Sequence, residues 1–566
     1  MTDVLFSPGL ILIFGAFAVP FMPLALRRAY VLLLPVIGFW YILGLEPGAT
    51  QSFTFMGYEL QPLYVDKLSL VWGYVFSLAA FLGILFAFHQ DDRVQDVAAL
   101  VYAGSGISAV FAGDLISLFV FWELTAVSSV FLIWASRNEQ AYRAGMRYLV
   151  IQIGSGVILL AGILFWYADT GSLAFGVIGI ETLAGKLIFI AFGIKCAFPL
   201  LHNWLQDSYP NATPTGTVIL SAFTTKLAVY TLARGYAGTE ILIYIGATMT
   251  AFPIFFAVIE NNLRKVLAYS LNNQLGFMVV GIGIGTPLAL DGTAAHAFCH
   301  ILYKALLFMS MGAVLHRTGT TKASELGGLY KTMPFTATFC TIGAMSISAF
   351  PLFSGFVSKS MILTAAAGEG YWGIWAILVF ASAGVMEHSG IKIPYFAFFA
   401  HDSGKRPKEA PFNMLLAMGI SAFLCIFIGV YPQPLYNILP YPVDFVPYTT
   451  AHVITQLQLL MFSILAFIVL IKTKLYPDEM PSTNLDFDWL YRKLLPNIVR
   501  TLGRKIVEAD HAIRRYLLGT LGLFLGQVER WSGMNGILAR TATISSMAFF
   551  ALSLLAVFLV LYFIKE

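Results

Sequence analysis

Long apolar stretches recur along the whole of this 566-residue sequence and restrict its fold more than any other feature. Hydrophobic residues make up 58% of the chain and charged residues 11%, which is more apolar surface than a soluble fold of this size buries. A helix needs about 20 apolar residues to cross a bilayer, so the sequence predicts an all-α, polytopic membrane helix bundle with about sixteen spans. The predicted spans lie near residues 8–26, 29–45, 67–88, 96–112, 114–135, 145–167, 186–206, 213–234, 240–259, 268–288, 292–316, 334–366, 372–400, 412–432, 451–472 and 541–563.

The distribution of basic residues predicts the orientation of the chain. Lysine and arginine concentrate in every second loop, whereas loops 46–65, 168–185 and 433–450 contain few. Loops rich in these residues stay on the inner side of the membrane, so we expect the N-terminus outside. The net charge of +4 is spread over the loops and gives no footprint for nucleic acid.

Two lysines, Lys195 and Lys226, lie deep inside predicted spans. A charge at the bilayer centre costs roughly 2.5–3.5 kcal/mol even on the most lenient scale. Pro199 cannot donate a hydrogen bond to the carbonyl of Lys195, so it weakens the helix at the residue that carries the charge. A charge beside a helix break is typical of an ion pathway; the alternative is a lysine paired with a carboxylate that locks two helices.

A second predicted span, 334–366, carries the same combination of features. Pro351 and Gly355 interrupt it, and Lys359 follows shortly afterwards. Two Pro-interrupted segments that each contain a lysine are what an internally repeated transporter would show.

The span 372–400 contains a third charged group, in the segment MEHSGIKIPYF. Glu387, His388 and Lys392 lie there close to a glycine and a proline. They form either a further buried part of a proton pathway or the solvated end of a span, because a basic loop follows.

His296, His300 and Lys304 recur every four residues and therefore share one face of a helix. Two imidazoles followed by a lysine suit a hydrogen-bonded proton relay, although a polar packing seam is an alternative. Zinc would need a third ligand, and the lysine would repel it, so no metal site is predicted. Glu123 is the carboxylate deep in its span and the natural counter-charge for Lys195.

Other kinds of chemistry find no support in the sequence. The four cysteines are scattered, with no CxxC and no His/Cys cluster, which argues against iron–sulfur and zinc sites. Neither a phosphate-binding loop nor a dinucleotide fingerprint is present, so no cofactor is predicted.

The C-terminal part follows a different pattern. A polar linker, 475–483, precedes apolar residues that recur at helical spacing from 498 to 531, with basic residues on the opposite face. This pattern predicts an amphipathic helix of about 35 residues on the inner membrane surface, where it binds lipid headgroups or braces neighbouring subunits.

Several long motifs resemble one known family. The run IKCAFPLLHNWLQDSYPNATPTGTVILSAFTTKLAVY is similar to the K-x-x-x-x-P-x-H-x-W-L-x-D-A…P-T-P-V-S…K core of antiporter-like subunits of respiratory complex I, membrane-bound hydrogenases and Mrp-type Na⁺/H⁺ antiporters. LFVFWELTAVSSVFLI, HAFCHILYKALLFMSMG and SGFVSKSMIL resemble further motifs of that family. Pro214-Thr215-Gly216 and Asp207-Ser208 depart from its usual Pro-Val-Ser turn and acidic-alanine pair. The core is most similar to the D-type subunit of Mrp antiporters, and the long surface helix resembles the distal subunit of complex I.

The resemblance implies a fourteen-helix core of two inverted repeats with broken helices. It also implies that Glu123, Lys195, Lys226, His300, Lys304 and Lys359 form a hydrated polar axis that moves protons. The implied setting is a bacterial plasma membrane, with other membrane subunits, protons, a monovalent cation (Na⁺) and the lipid bilayer as partners.

We therefore expect a proton-translocating subunit of a multisubunit Na⁺/H⁺ antiporter, a transporter subunit and not an enzyme in itself. The alternative is a pumping subunit of a complex I-like oxidoreductase or hydrogenase. A scaffold without transport would leave the buried lysines unexplained. The expected divisions are N-terminal helices 1–64, a translocating core 65–432, an additional span 433–474, the linker and amphipathic helix 475–540, and an anchor span 541–566.

Overall fold

The computed structural model describes residues 5–477, 479–480, 484 and 486–565. They belong to two compact units, Met1–Asn484 and Leu485–Glu566. Across the described ranges, eleven helices are long and apolar enough to cross a membrane, and two shorter helical segments, Leu10–Phe21 and Pro334–Ile347, are also apolar. The prediction of a polytopic helix bundle is confirmed, while the count of sixteen spans and the predicted domain divisions stay predictions.

Two of the first four helices begin at an aspartate whose side chain caps the helix, Asp66 and Asp92. Asp66 accepts a hydrogen bond from the Ser69 amide at 2.7 Å, and the Ser69 hydroxyl accepts one from the Asp66 amide at 2.9 Å. This reciprocal pair satisfies amides that the helix start leaves free. The first four helices are α1 (Leu10–Ala16), α2 (Leu24–Leu43), α3 (Lys67–Ala87) and α4 (Arg93–Val110).

A β-hairpin, which the sequence analysis did not predict, lies between α2 and α3. Strands β1 (Thr50–Phe55) and β2 (Tyr58–Tyr64) pair antiparallel through a two-residue turn, in which Met56 and Gly57 have φ of +50° and +84°. Positive φ at both turn residues is what a tight hairpin needs. A search for apolar stretches of about 20 residues does not detect strands of six and seven residues.

The predicted interruptions of two spans are present. One span consists of α7 and α8 and the other of α14 and α15, with a non-helical segment inside each pair. The central helices are α5 (Leu115–Trp134), α6 (Glu139–Thr170), α7 (Leu183–Lys195), α8 (Asn203–Ser208), α9 (Pro214–Leu220), α10 (Thr224–Gly235), α11 (Ile241–Ile259), α12 (Leu263–Ile284), α13 (Pro287–Thr318), α14 (Pro334–Ile347) and α15 (Ser354–Gly368).

The next span is irregular in another way. After α16 (Trp372–Val385) the helix widens into π-helical turns at Met386–Ile391 and Tyr395–Phe399, on either side of the short α17 (Lys392–Pro394). Such turns are rare and occur often at functional sites. The unit ends with α18 (Phe412–Val430), α19 (Gln433–Tyr436) and α20 (Thr450–Lys472).

The second unit contains the helix that the C-terminal pattern predicts. A π-helical turn at Leu490–Leu494 leads into α21 (Leu495–Ser532), which has 38 residues, and α22 (Ile544–Ile564) follows. The predicted amphipathic helix and last apolar helix are therefore confirmed as helices. Their positions in or on the membrane stay predictions.

Helices α12 and α13 form the core of the first unit, since nearly every residue of α12 and most of α13 are buried. Helix α11 packs closely against α12 because glycines face each other at the contact. A Cβ atom on Gly276 would lie 2.6 Å from both the Gly246 oxygen and the Thr250 nitrogen. Small residues at such a crossing allow two backbones in a membrane to approach closely.

Replacing Gly276 by alanine should therefore push α11 and α12 apart. We expect Gly276→Ala to lower the stability of the protein in detergent by about 1–3 kcal/mol, measured as a lower unfolding temperature. Gly154→Ala is the matched control, because nothing lies within 4 Å of a Cβ atom at that helical position. Equal unfolding temperatures for the two variants would contradict this account of the contact.

Candidate functional site

Lys195 is the last residue of α7 and is completely buried. Its ammonium group donates to the carbonyl oxygen of Trp122 at 2.5 Å and to the hydroxyl of Thr125 at 3.0 Å. The same nitrogen lies 4.3 Å from the centre of the Trp122 ring, a cation–π contact. Helix α5 therefore surrounds the charge with uncharged ligands.

Glu123, the counter-charge expected for Lys195, lies on the same helix as these ligands. The two groups interact electrostatically, yet Oε1 of Glu123 is buried and has no hydrogen-bond partner among the described residues. The structure thus places the carboxylate near Lys195 with the ammonium bound to Trp122 and Thr125.

Gly156 of α6 makes room for this carboxylate, a role that the sequence alone did not reveal. A Cβ atom at position 156 would collide with Oε1 of Glu123. The sequence shows only a glycine inside a predicted helix, where it costs about 0.5–1 kcal/mol relative to alanine, and nothing local links it to Glu123.

The two helix breaks share the tetrapeptide Ala-Phe-Pro-Leu, which the sequence analysis missed. In the first break Ala197 and Leu200 have φ of +61° and +71°, and in the second Ala349 and Leu352 have φ of +57° and +74°. Left-handed backbone costs a non-glycine residue about 1–3 kcal/mol. The same four residues therefore adopt the same strained conformation twice, which agrees with an internal repeat.

The predicted break residues differ in how they act. Pro199 and Pro351 are the third residues of the two tetrapeptides and lie between the half-helices. Gly355, in contrast, is the second residue of α15 and lies directly after the break, so its part in the interruption stays a prediction. A Cβ atom there would collide with the Ser346 oxygen, so this glycine lets α15 start close to the end of α14.

Lys359 of α15 reaches back to the second break. Its buried ammonium group donates to the carbonyl oxygen of Ile347, the last residue of α14, at 3.1 Å. It also lies 4.9 Å from the centre of the Phe277 ring. Lys195 precedes its Ala-Phe-Pro-Leu segment and Lys359 follows its own, so the two lysines occupy different halves of their broken spans.

Lys226 lies at a third interruption, between α9 and α10. Its ammonium group donates to the Ser221 carbonyl oxygen at 2.6 Å, and the side chain is completely buried. The Trp72 indole N–H donates to the Lys226 carbonyl oxygen at 2.9 Å and holds the start of α10.

The stripe of His296, His300 and Lys304 lies on α13 and is completely buried. His296 Nδ1 lies 3.1 Å from the Ser358 hydroxyl, and the rings of His296 and His300 are 6.2 Å apart. Both ring nitrogens of His300 and the Lys304 nitrogen have no hydrogen-bond partner among the described residues. Leaving buried polar atoms unpaired costs about 1–3 kcal/mol each, which points to a functional reason for keeping them.

The third group, Glu387, His388 and Lys392, lies in the π-helical part of its span. His388 and Lys392 are completely buried and Glu387 is half-buried. This burial favours a buried group over the solvated end of a span. Lys392 donates to the carbonyl oxygens of Val258 and Glu260 and forms an ion pair with Glu479. Glu479 follows α20 in the segment predicted to be a linker, and no local pattern marks it.

Electrostatic interactions join these groups into a continuous set. Cys196, the neighbour of Lys195 in the chain, interacts with Lys226. The other interactions join Glu123 with Lys195, Lys226 with His300 and Lys304, Lys359 with His296 and His300, and His388 with Lys304, Lys359 and Lys392. Glu387 interacts with Lys392 as well, so all the charged and histidine candidates of the sequence analysis belong to one polar axis, which is buried except at the half-buried Glu123 and Glu387.

The sequence matches a known family over much of this axis. Residues 112–384 match the family described as NADH:quinone oxidoreductase/Mrp antiporter, transmembrane. The D-type subunit of the Na⁺/H⁺ antiporter of Alkalihalophilus pseudofirmus is 30% identical over 358 residues, covering 59% of this chain and 72% of that protein. The chain belongs to this family. It is a membrane subunit of the antiporter type, as its motifs predicted.

Two solved structures share the fold of this family member. A chain of the Mrp complex from Dietzia sp. has a TM-score of 0.69 at 21% identity, and the match covers 76% of this chain and 95% of that one. A chain of the membrane-bound sulfane sulfur reductase, an archaeal respiratory membrane complex, has a TM-score of 0.71 at 20% identity. That match covers 98% of this chain and 99% of the other.

The contact between Gly156 and Glu123 can be tested by a double-mutant cycle. We expect Gly156→Ala to lower the unfolding temperature of the purified protein, by the equivalent of about 1–3 kcal/mol, because the added methyl group displaces the carboxylate. In a Glu123→Ala background the collision is absent, so the same change should cost less than about 0.5 kcal/mol. Equal losses in both backgrounds would show that Gly156 does not serve Glu123.

Proposed function

We propose that this chain is a proton-translocating subunit of a multisubunit monovalent cation/proton antiporter, and that its buried axis is the proton pathway. The observation that supports this most strongly is the charge of the axis. Five lysines, each at most 1% exposed, lie in its described part: Lys195, Lys226, Lys304, Lys359 and Lys392. Ammonium groups are stable in a membrane only where they are solvated or paired, so this many of them form a functional feature of the chain.

The way in which the lysines are held supports proton transfer over a structural role. Three of them bind a main-chain carbonyl oxygen instead of a carboxylate: Lys195, Lys226 and Lys359. A structural ion pair resists loss of its proton to a third group, because that loss would leave a buried carboxylate uncompensated. A carbonyl ligand leaves no such charge behind, and the lysine can therefore release its proton.

The first step involves Glu123 and Lys195. When the carboxylate approaches the ammonium group, it favours the protonated form of the lysine, and when it withdraws it favours release. Oε1 of Glu123 has no hydrogen-bond partner among the described residues, so no hydrogen bond to that oxygen opposes this movement. The proton then passes along Lys226, Lys304, His300 and His296 to Lys359, each of which interacts electrostatically with a neighbour in the series.

The setting proposed for this function is a bacterial plasma membrane with the N-terminus outside. Other membrane subunits are the partners, since the relative from Alkalihalophilus pseudofirmus is by name one subunit of an antiporter. The exchanged cation is Na⁺, by analogy with that relative.

A second candidate is a pumping subunit of a redox complex. The family description names NADH:quinone oxidoreductase together with the Mrp antiporters, so membership in the family is compatible with both functions. Purification of the native complex in a mild detergent separates the candidates. Small hydrophobic subunits alone support the antiporter, whereas flavin or iron–sulfur subunits would support the redox pump.

Proton carriage by Lys195 has a direct test. The complex is purified, placed in vesicles, and its Na⁺-driven proton flux is followed with a pH-sensitive dye. We expect Lys195→Ala and Lys195→Arg each to slow the flux at least tenfold, since arginine keeps the charge but does not release a proton at accessible pH. Lys186→Ala is the matched control, because Lys186 is exposed on the same helix. Normal flux in Lys195→Arg would mean that the lysine only carries a fixed charge.

A further inference from the structure

Lys392 differs from the other buried lysines because it forms an ion pair. Its nitrogen lies 2.6 Å from the Val258 oxygen, 2.8 Å from the Glu260 oxygen and 2.8 Å from Oε1 of Glu479. The two carbonyl groups lie at the C-terminal end of α11, where helix carbonyls carry partial negative charge. The ammonium group is thus held at the end of the axis that faces the loop between α11 and α12.

The segment after α20 brings Glu479 to this place. Tyr476 is buried in the segment, with its ring centre 5.2 Å from that of Phe467 and 6.3 Å from that of Phe396. The segment is therefore anchored to α20 and to the π-helical turn that follows Lys392. Beyond it, Asn484 donates to the Ile259 oxygen at 3.3 Å and to a Glu260 carboxylate oxygen at 3.4 Å.

Glu479 lies between the buried axis and an exposed residue, and both of its carboxylate oxygens are buried. The Lys392 side chain is 0% exposed and the Glu479 side chain 9%, whereas Met480, the next residue, is 62% exposed. The Glu479 carboxylate therefore lies between the last lysine of the axis and a residue that reaches the protein surface. Proton transfer requires about 2.6–3.2 Å between heavy atoms, and the 2.8 Å contact satisfies this.

Several other titratable groups face this ion pair. Glu387 and His388 come from the π-helical turn, Glu260 from the end of α11, and Tyr476 from the linker segment. Glu260 is itself paired with Lys265 at 2.9 Å. Burial raises the pKa of Glu479, while Lys392 opposes this shift, so the carboxyl group can hold a proton more readily than an exposed one.

We propose that Glu479 is the terminal proton carrier of the axis, and that Lys392 exchanges protons with water on the side of the α11–α12 loop through this carboxylate. This inference rests on the proposed function. It adds to the pathway a residue from outside the helical core. It also adds a step beyond Lys359, the last axis residue that lies in a family motif.

The step conserves atoms and charge. An N–H bond of the Lys392 ammonium breaks as an O–H bond forms on Oε1 of Glu479, which leaves a neutral amine and a neutral carboxylic acid. The acid then loses its proton to a water molecule of the exterior and becomes a carboxylate again. Protons that enter follow the same steps in reverse.

Removal of the carboxylate tests the proposal in the vesicle assay of the assembled complex. We expect Glu479→Gln and Glu479→Ala each to slow proton flux at least tenfold, and Glu369→Gln, at an exposed glutamate, to leave it unchanged. Formate should restore the flux of Glu479→Ala severalfold, because it fits the space that the side chain vacates. Formate should not change the flux of Glu479→Gln, since the amide fills that space. Any change seen with this variant measures the protons that formic acid itself carries across the lipid.

Lys392→Arg provides a second test that does not depend on how the Glu479 variants assemble. Arginine can keep an ion pair with Glu479 but does not supply a proton, so we expect at least a tenfold loss of flux. If the ion pair only holds the linker segment in place, Lys392→Arg should retain normal flux and formate should not restore the flux of Glu479→Ala. That result would overturn the proposal.

The two proposals fail in different ways. Normal flux in Glu479→Gln together with lost flux in Lys195→Arg would overturn the role of Glu479 alone. Normal flux in Lys195→Arg would overturn the pathway itself, and with it this inference.

Discussion

The structure depends on protein groups that take the place of water around the buried ammonium groups of its lysines. Helix interruptions supply much of the answer, since a broken helix leaves main-chain carbonyl oxygens without an amide partner. Ser221, Ile347 and Glu260 each lie at or next to a helix end, and each offers such an oxygen to a lysine. Trp122 supplies its carbonyl oxygen to Lys195 from within α5, without a helix break. The breaks and the lysines thus belong to one arrangement. The ammonium groups pair with carbonyl oxygens that the breaks leave unbonded, and these oxygens stabilise the buried ammonium groups.

Much of this arrangement could be predicted from the sequence because charge in an apolar stretch is conspicuous. Lys195, Lys226 and Lys359 stand out against their surroundings, and the four-residue spacing of His296 and His300 defines a helix face. The prolines marked both broken spans for the same reason, since proline removes a helix hydrogen bond wherever it lies.

What the sequence did not reveal are contacts between residues that are far apart in the chain. Glu479 lies in a segment whose composition is that of an ordinary linker, and only the folded chain brings it to Lys392. Gly156 was missed because its function is to leave a space for Glu123. The β-hairpin was missed because its strands are short. The repeated Ala-Phe-Pro-Leu was missed because four residues carry little weight until the matching positive φ angles of their alanines and leucines are known.

The carbonyl ligands of the lysines have an electrical consequence. A carbonyl group is neutral, so each proton that arrives on Lys195, Lys226 or Lys359 adds a full positive charge to the membrane interior. Such a charge experiences the voltage across the bilayer, which is worth about 2.3 kcal/mol per elementary charge for a complete crossing at 100 mV. A relay built from lysine–carboxylate pairs would take up the same charge with each proton, but its occupied state would be net neutral. The occupancy of this axis is therefore coupled to membrane voltage as well as to the proton concentrations on the two sides.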